Sequence, residues 1–419
     1  MRAGGREAII DIHDAVDAIW RIESAKLIAT IARIVRDVGL AEEVAQDAVV
    51  AALEQWPREG VPRNPGAWLM VTAKRRAIDR LRRNVVLERK NEEIARQLEA
   101  LHGDELPDED AIGDDMLRLM FIACHPVLSA EGCVALTLRL LGGLRTDEIA
   151  RAFLVSEPAV AQRIVRAKRT LSEACVPFEV PDASERASRL SSVLEVLYLI
   201  FNEGYSATAG DHWLRPALCE DALRLGRVLA HLMADESEVH GLVALMEIQA
   251  SRLRARTNAE GKPILLLDQD RSSWDRLLIR RGLAALARAE KLGPLGVYGL
   301  QAAIAACHAR ARVAEETDWE RIAALYDALA QVAPSPVVEL NRGIAVAMAF
   351  GPAAALQIVE TLTGEPSLKA YHLLPTVRGD LLAKLGRADE ARSEFERAAS
   401  LTRNVREREL LLERAAALA

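Results

Sequence analysis

The sequence NPGAWLMVTAKRRAIDRLRR occupies residues 64–83, and a second basic stretch, TDEIARAFLVSEPAVAQRIVRAKRTL, occupies residues 146–171. In both stretches the apolar residues recur every three to four positions and the cationic residues collect on another side, which predicts amphipathic helices. The second stretch also has the pattern of a helix-turn-helix, a motif whose second helix enters the major groove of DNA. Two such helices in one chain indicate contact with DNA rather than catalysis.

Composition places the chain among large helical proteins. With 419 residues, half of them apolar and 27% charged, the chain should form about two to four domains. Aromatic residues make up only 4%, and alternating β-branched residues are almost absent, so an all-α fold is expected. The net charge of −7 does not indicate a nucleic-acid binder, and the charge signal is local. Residues 74–90 include eight basic residues, whereas residues 99–115 include eight acidic residues and no Lys or Arg.

The five cysteines indicate reduced thiols. Their number is odd and no CxxC spacing occurs, which is typical of a cytoplasmic protein of this size. No stretch resembles a signal peptide or a membrane span, so no membrane association is expected. Cys124, His125 and Cys133 are close in sequence, but the adjacency of the first two disfavours chelation. We therefore expect no metal and no other cofactor.

The pattern of helices and breaks divides the chain into four blocks. They are a helical domain, an acidic linker, a second helical domain and a long helical extension, over 14–99, 100–115, 116–176 and 183–419. Within the first block, breaks are expected at Gly39 and in a loop over 57–65, where proline, glycine and asparagine disfavour helix.

The helical extension contains a weak repeat of 36 residues. Small and large side chains alternate at spacings of three to five residues, as in the paired helices of a tetratricopeptide repeat. The two copies are Gly343, Val346, Phe350, Ala355, Val359 and Leu362, and then Gly379, Leu382, Gly386, Ala391, Phe395 and Ala398. This pattern predicts a helical-repeat domain, and an irregular helical bundle is the alternative.

The first basic stretch and the helix before it have predicted outer faces of opposite charge. The apolar side of the basic helix comprises Ala67, Met70, Val71, Ile78 and Leu81. Its other side could follow DNA phosphates and comprises Thr72, Arg76, Arg80 and Arg83. The outer face of the preceding helix comprises Glu43, Gln46, Asp47, Val50 and Glu54. Trp56 and Trp68 flank the loop, where an unstacked base could rest. A row of charged residues is more often simply a solvated helix face. Here, however, the acidic face of the preceding helix and the loop between the two tryptophans favour a protein that binds a basic partner while it contacts DNA.

The second basic stretch predicts both helices of the helix-turn-helix. Thr146 is expected to cap the first helix and Ser156 the second. The inward stripe of the second helix comprises Val160, Ile164, Ala167 and Leu171. On its outer side, Gln162 and Arg163 suit base contacts, and the residues suited to phosphate contacts are Arg166, Lys168 and Arg169. Leu154 occupies the turn position where glycine is common, so two ordinary amphipathic helices remain an alternative.

In their order, these segments resemble a bacterial sigma factor of the extracytoplasmic-function type. The sequence AEEVAQDAVVAALEQW at 41–56 and the basic stretch at 64–83 are similar to the clamp-binding and promoter-melting helices of sigma region 2. Residues 136–171 are similar to region 4. The segments that begin at Leu197 and Leu265, LYLIFNEGYSA and LLLDQDRSSWDRLLI, resemble a subgroup with a C-terminal tetratricopeptide-like extension. The resemblance implies two small all-α sigma domains followed by a helical-repeat domain.

The resemblance also implies roles for individual residues. Contacts with the coiled-coil clamp of the RNA polymerase β′ subunit would involve Glu43, Gln46, Asp47 and Val50. Contacts with the minus-ten promoter element would involve Trp56, Arg63, Asn64, Trp68, Thr72, Arg76, Arg80 and Arg83. Contacts with the minus-thirty-five element would involve Ser156, Pro158, Ala159, Gln162, Arg163, Arg166, Lys168 and Arg169. Region 4 would also dock on the β flap.

A polar motif in the extension is a candidate for regulation. Its residues are Asp268, Asp270, Arg271, Trp274 and Asp275, and Glu203 is a weaker candidate of the same kind. These side chains could bind a regulatory protein or a ligand, or hold the extension against the sigma domains. The alternative is that they cap helices and form salt bridges.

The predicted function is therefore that of a sigma factor that brings core RNA polymerase to promoter DNA. No catalytic triad, carboxylate pair or glycine-rich phosphate loop stands out, so an enzyme is not expected. One alternative is a helix-turn-helix regulator that acts without core polymerase, which leaves the outward acidic helix unexplained. The other is an interaction adaptor of the tetratricopeptide type.

Overall fold

The architecture is helical throughout the described parts of the chain. The computed structural model describes residues 4–88, 109–153, 155–207, 213–258 and 261–418. In these ranges the chain forms eighteen α-helices and no β-strand, which confirms the predicted all-α class. The chain divides into two compact units, Met1–Val196 and Leu197–Ala419.

Over the residues that the structure describes, the first unit forms seven complete helices. They are α1 (Gly4–Val35), α2 (Val38–Glu59), α3 (Pro65–Glu88), α4 (Glu109–Ala123), α5 (Ala130–Leu140), α6 (Thr146–Phe153) and α7 (Glu157–Glu173). The long helix α1 packs against α2, α3 and α4, and α7 packs against α5 and α6. The next helix, α8 (Arg186–Tyr205), contains the boundary between the units.

The breaks in the first block differ from the predicted ones. The first break lies before Gly39, because Asp37 caps α2 by accepting a hydrogen bond from the Leu40 N–H at 2.7 Å. The loop predicted over 57–65 is shorter, since α2 continues through Pro57 and ends at Glu59. Pro57 removes one helical N–H donor, and the N–H of Gly60 donates to the Trp56 carbonyl at 2.9 Å and closes the helix.

Part of the predicted acidic linker is helical. Residues 109–115 of that linker belong to α4, and residues 100–108 lie outside the described residues. Acidic residues at a helix start interact favourably with the helix dipole, so this composition is compatible with helix. Asp115 is fully buried, where it accepts hydrogen bonds from Arg33 at 2.9 Å and Arg118 at 2.8 Å. The expectation of a linker is therefore wrong for Asp115, whereas the neighbouring Asp114 is exposed.

The second unit is a series of helices with one irregular interruption. Its complete helices are α9 (Pro216–Leu232), α10 (Ser237–Ala250), α11 (Arg276–Leu292), α12 (Val297–Arg310), α13 (Trp319–Val332), α14 (Pro336–Phe350), α15 (Pro352–Thr361), α16 (Leu373–Lys384), α17 (Ala388–Leu401) and α18 (Val405–Ala416). The interruption between α10 and α11 contains three short 3-10 turns and an isolated bridge between Thr257 and Pro263.

The predicted repeat corresponds to two successive helix pairs, α14–α15 and α16–α17. In the second pair, a Cβ atom at Gly379 would lie 3.0 Å from the Phe395 ring, so any larger residue would require the ring to shift by a few tenths of an ångström. In the first pair, Gly343 faces Val359 in the same way. Phe350 departs from the pattern because it is 62% exposed; Gly351, with φ of 97°, makes the turn there.

No helix among the described residues combines the length and the apolar composition needed to cross a membrane.

Candidate nucleic-acid interface

Helices α2 and α3 place the predicted acidic and basic rows side by side. One terminal nitrogen of the Arg80 guanidinium lies 3.1 Å from the Glu43 carboxylate, and the other lies 3.6 Å from that of Asp47. All three side chains are substantially exposed, so solvent weakens the ion pairs. The two rows therefore form one continuous surface, on which Arg80 already has acidic partners.

The buried face of α3 is rotated relative to the predicted one. Met70 and Ile78 are buried as predicted, whereas Ala67, Val71 and Leu81 are only half-buried. The remaining buried residues are Leu69, Ala73 and Ala77. The alanines were overlooked because they add little hydrophobicity, yet they let α3 approach its neighbours closely. As a result, Thr72, Arg76 and Arg80 are half-buried and Arg83 is exposed.

The two tryptophans beside the loop have different environments. Trp56 is only 1% exposed and packs edge-on against Trp68, with ring centroids 5.5 Å apart. Trp68 is half-buried, and Arg63 and Asn64 in the loop are exposed. The predicted base contact of Trp56 is therefore wrong for this structure, since the extended α2 keeps the ring on its inward face. Asn64 also caps α3, accepting a hydrogen bond from the Ala67 N–H at 3.1 Å.

The helix-turn-helix consists of α6 and α7. The predicted inward stripe of α7 is confirmed, because its buried residues are Val160, Ile164, Ala167 and Leu171. Thr146 is the first helical residue rather than the cap, and the Glu148 carboxylate instead accepts a hydrogen bond from the Arg145 N–H at 2.8 Å. Ser156 occupies the cap position of α7, but its side chain forms no capping hydrogen bond. Leu154 lies outside the described residues.

The outer face of α7 presents most of the predicted DNA contacts to solvent. The exposed residues are Ser156, Pro158, Gln162, Arg166 and Arg169, and the half-buried ones are Ala159 and Arg163. Arg163 forms an ion pair with Glu131 at 2.9 Å, and Arg169 forms one with Glu173 at 2.6 Å. These pairs are largely solvent-exposed, and such pairs break at low cost when a phosphate competes.

Lys168 is the exception among the predicted DNA contacts. Its side chain is 22% exposed, and its ammonium group forms an ion pair with Glu42 of α2. The Glu42 carboxylate also accepts hydrogen bonds from Arg139 at 2.6 Å and Gln46 at 2.7 Å. The phosphate contact predicted for Lys168 is therefore not available in this arrangement. Glu42 was missed, although its place among the inward residues Val38, Ala41 and Ala45 is typical of a carboxylate with buried partners.

Comparison with known proteins places these helices in a family. Residues 22–85 match the model for Sigma-70 region 2, and residues 118–171 match that for Sigma-70, region 4. The chain is 27% identical over 180 residues to "Probable ECF RNA polymerase sigma factor SigI" of Mycobacterium tuberculosis, a match that covers 42% of this chain and 60% of the relative. The chain contains Sigma-70 regions 2 and 4 and is similar to extracytoplasmic-function sigma factors over this part. It directs transcription initiation and binds core RNA polymerase and promoter DNA.

Two further relatives match the chain over different lengths. "ECF RNA polymerase sigma factor SigK" of Mycobacterium ulcerans is 25% identical over 163 residues, which cover 38% of this sigma factor and 84% of the relative. "Uncharacterized protein R00370" of Rhizobium meliloti is 46% identical over 387 residues, covering 90% and 89% of the two chains. Residues 189–290 match a family of unknown function, DUF6596. The match to the Rhizobium meliloti relative therefore includes most of the C-terminal extension.

The polar motif of the sigma factor's extension does not form one cluster. Asp270 is exposed, and its carboxylate accepts hydrogen bonds from the hydroxyls of Ser272 and Ser273, both at 2.8 Å. These bonds hold the pKa of Asp270 below its usual value. Asp275 caps α11, accepting from the N–H groups of Leu277 and Leu278. Asp270 and Asp275 therefore have the capping role that was the alternative to a regulatory one.

Arg271 points into the second unit rather than to its surface. It is 5% exposed and donates hydrogen bonds to the carbonyls of His308 at 2.8 Å and Ala311 at 3.1 Å, and to the Thr317 hydroxyl at 2.9 Å. Trp274 is also buried, whereas Asp268 is exposed, and Glu203 forms an ion pair with Arg215. A direct contact of Arg271 or Trp274 with a regulator is not compatible with this burial. The contacts of Arg271 instead hold the end of α12.

The residues that invited a metal-site interpretation have other partners. The Cys124 sulfur lies 3.5 Å from the Thr137 hydroxyl, and the Cys133 thiol donates to the His125 carbonyl at 3.7 Å. The His125 ring accepts a hydrogen bond from the Val127 N–H at 3.1 Å. Burial raises the pKa of Cys124 to about 12 and that of Cys133 to about 11. Both thiols are thus protonated at neutral pH, a state that disfavours metal binding.

Proposed function

We propose that α2 and α3 form a composite surface that binds the polymerase and the minus-ten element together. The β′ clamp would contact Glu43, Gln46, Asp47 and Val50. The minus-ten element would contact the loop and the outer side of α3 through Arg63, Asn64, Trp68, Thr72, Arg76, Arg80 and Arg83. The observation that carries this proposal is the ion pairing of Arg80 with Glu43 and Asp47, which makes the two rows adjacent.

This adjacency gives a physical reason for the polymerase requirement. Arg80 shares its charge between two carboxylates in the free chain, which reduces its attraction to phosphate. When the clamp takes Glu43 and Asp47 as partners, Arg80 becomes available to DNA. Unstacking a base costs a few kcal/mol, so the sigma factor alone should open promoters poorly.

The outer face of α7 is proposed to read the minus-thirty-five element. Gln162 and Arg163 lie in the N-terminal half of α7, the part that faces base edges in a helix-turn-helix. Arg166 and Arg169 would contact phosphates, while Ser156, Pro158 and Ala159 would face the groove entrance. The same domain would dock on the β flap. Region 2 is proposed to span 14–99 and region 4 to span 116–176.

The extension over 183–419 is proposed to serve as a platform for a regulatory protein or a ligand. The helix pairs α14–α15 and α16–α17 repeat, and stacked pairs of this kind create surfaces suited to docking. Phe350 and Leu385 are exposed at corresponding turns of the two pairs. In the 36-residue repeat Phe350 aligns with Gly386 rather than with Leu385, but each turn presents an exposed apolar side chain that a bound protein could cover.

Charge reversal on α2 tests the central proposal. The double variant Glu43→Lys and Asp47→Lys should lose co-elution with core RNA polymerase and promoter-dependent transcripts in vitro. Glu54→Lys is the matched control, because Glu54 is an exposed acidic residue of the same helix outside the proposed contact. Full transcript yield from the folded double variant would contradict the proposal.

Two further assays separate the alternatives. A helix-turn-helix regulator that needs no polymerase would shift duplex promoter DNA tightly by itself, whereas the proposed sigma factor should require core enzyme. An interaction adaptor would give no defined transcription start in a reconstituted system. Specific transcripts that depend on both core enzyme and this chain would distinguish the sigma factor from both.

A further inference from the structure

Glu42 connects three helices of the first unit through one buried carboxylate. The residue is 3% exposed. One carboxylate oxygen accepts hydrogen bonds from Gln46 of its own helix and from Arg139 of α5, and the other faces the ammonium group of Lys168 on α7. Glu42 is therefore a contact between region 2 and region 4.

The partners of Glu42 belong to both proposed interfaces. Gln46 is in the proposed clamp-binding set, and Lys168 lies on the helix proposed to contact the minus-thirty-five element. While Lys168 faces Glu42, its charge is compensated by a carboxylate and is directed away from DNA. The arrangement seen here therefore removes one cation from the DNA-binding helix.

A second contact brings region 4 to the edge of the clamp-binding face. Gly143, in the turn between α5 and α6, has φ of 70°, and a Cβ atom there would lie 2.8 Å from the Ser24 hydroxyl of α1. Arg21 of α1 forms an ion pair with Glu148 at 2.6 Å. A cavity of about 230 Å³ lies between these elements, and its walls include Gln46 and Val50. A protein bound to Gln46 and Val50 would thus meet region 4.

The chemistry of Glu42 suits a contact with two stable states. A buried carboxylate is tolerated only while its cationic and hydrogen-bonding partners remain in place. If region 4 moves away, water replaces Arg139 and Lys168, and all three charges regain hydration. Ion pairing of Glu42 favours the docked state of region 4, whereas hydration of the separated charges favours the released state. A partner that binds one of these states modestly better can therefore shift the equilibrium between them.

We propose that Glu42 is a positioning residue that holds region 4 against region 2 in the free chain and releases it when core polymerase occupies the clamp-binding face. Release frees Lys168 for promoter phosphates. The inference rests on the proposed clamp contact of Gln46 and Val50, but the contact in the free chain can be tested separately.

The chain offers a natural label position for this test. Cys175, just after α7, is the exposed cysteine, whereas Cys124, Cys133, Cys219 and Cys307 are buried. Burial raises the pKa of each of these four thiols, which slows their alkylation. A second label at Gln55→Cys, an exposed position of α2, completes a pair that spans regions 2 and 4. Pulsed electron paramagnetic resonance on the full chain then gives the distance distribution.

The decisive comparison is between two isosteric amide variants in the labelled free chain. In Glu42→Gln we expect the population at longer distances to rise about five- to tenfold, because both cations lose their charged partner. Glu54→Gln, an exposed change on the same helix, should leave the distribution unchanged. Identical distributions for the two variants would overturn the proposal.

Two additional measurements test the same contact from its other side. Arg139→Gln must shift the distribution in the same direction as Glu42→Gln, and a folded Arg139→Gln chain with the original distances would overturn the role of Glu42 even if the first variant misfolds. Core polymerase added to the labelled chain with native Glu42 should convert the population to longer distances. If the chain binds core polymerase but keeps the short distance, the proposal is overturned. If the chain does not bind core polymerase, the proposed function is contradicted. The comparison of Glu42→Gln with Glu54→Gln in the free chain then decides whether Glu42 holds region 4.

Discussion

Replacing Arg271 with methionine should destabilise the second unit strongly. The substitution Arg271→Met keeps an unbranched side chain about as long as the aliphatic part of arginine and removes the guanidinium group. That group donates three hydrogen bonds to oxygen atoms of His308, Ala311 and Thr317, at 2.8 to 3.1 Å. The carbonyls and the hydroxyl would be left without this donor in a buried environment, where water cannot replace it freely.

The magnitude follows from the number of bonds. A hydrogen bond from a charged donor contributes about 1.5–3 kcal/mol to stability, so three bonds contribute about 5–9 kcal/mol. Removing the guanidinium also removes the cost of burying its charge, which offsets part of that loss. We therefore expect the free energy of unfolding to fall by about 3–5 kcal/mol, because three buried neutral acceptors lose their donor at a cost of about 1–3 kcal/mol each while the cost of burying the charge is removed.

Hydrogen exchange measured by mass spectrometry is the suitable assay, because it reports the free energy of opening for each helix. Peptides from α12 and from residues 311–317 should exchange much faster in Arg271→Met. The matched control is Asp270→Ala, whose exposed carboxylate bonds only within its own turn, and a far smaller change is expected there. Equal effects of the two variants, or unchanged exchange in α12, would refute the structural role assigned to Arg271.

Three further predictions concern the repeat, a buried histidine and the DNA-binding helix. Gly379→Val should lower the free energy of unfolding by about 1–3 kcal/mol in urea titrations, because its side chain would press on Phe395; Gly364→Val, in open space, should show no such packing loss. Burial lowers the pKa of His308 to about 3, so the unfolded chain binds a proton below about pH 6.5 that the folded chain does not bind. As the pH decreases below about 6.5, this group should therefore lower the free energy of unfolding by about 1.4 kcal/mol per pH unit. Between pH 6.5 and pH 5, a folded His308→Gln chain should lose about 2 kcal/mol less than the native chain. An equal loss in both chains would contradict the burial of His308. Arg166→Ala should weaken holoenzyme binding to minus-thirty-five DNA and reduce the slope of log affinity against log salt by about 1, while an unchanged slope would exclude a phosphate contact.

The parts of the fold that could be predicted depend on local pattern. The stripe of α7 was found because Val160, Ile164, Ala167 and Leu171 are apolar residues at helical spacing. The close approach at Gly379 was predictable for a similar reason, since small and large residues alternate within one helix pair. Such features are set within one helix or within one pair of consecutive helices.

The features that were missed depend on neighbours distant in sequence. The orientation of α3 is set by close packing at Ala73 and Ala77, which carry little weight in a hydrophobic pattern. The direction of Lys168 depends on Glu42, more than a hundred residues earlier. Arg271 and Asp270 are adjacent and polar, yet one is buried and the other exposed, because only Arg271 meets the carbonyls at the end of α12. Local sequence does not contain these partners.

The 36-residue repeat of α14–α15 and α16–α17 has a consequence for how the extension can change in length. Each pair makes its main helix contacts with the adjoining helices, so a whole copy could be gained or lost with only one junction to rebuild. Related sigma factors with longer or shorter extensions should therefore differ by whole copies rather than by arbitrary numbers of residues. Such copy-number variation would change the reach of the proposed platform while the helices proposed to read the promoter stay the same.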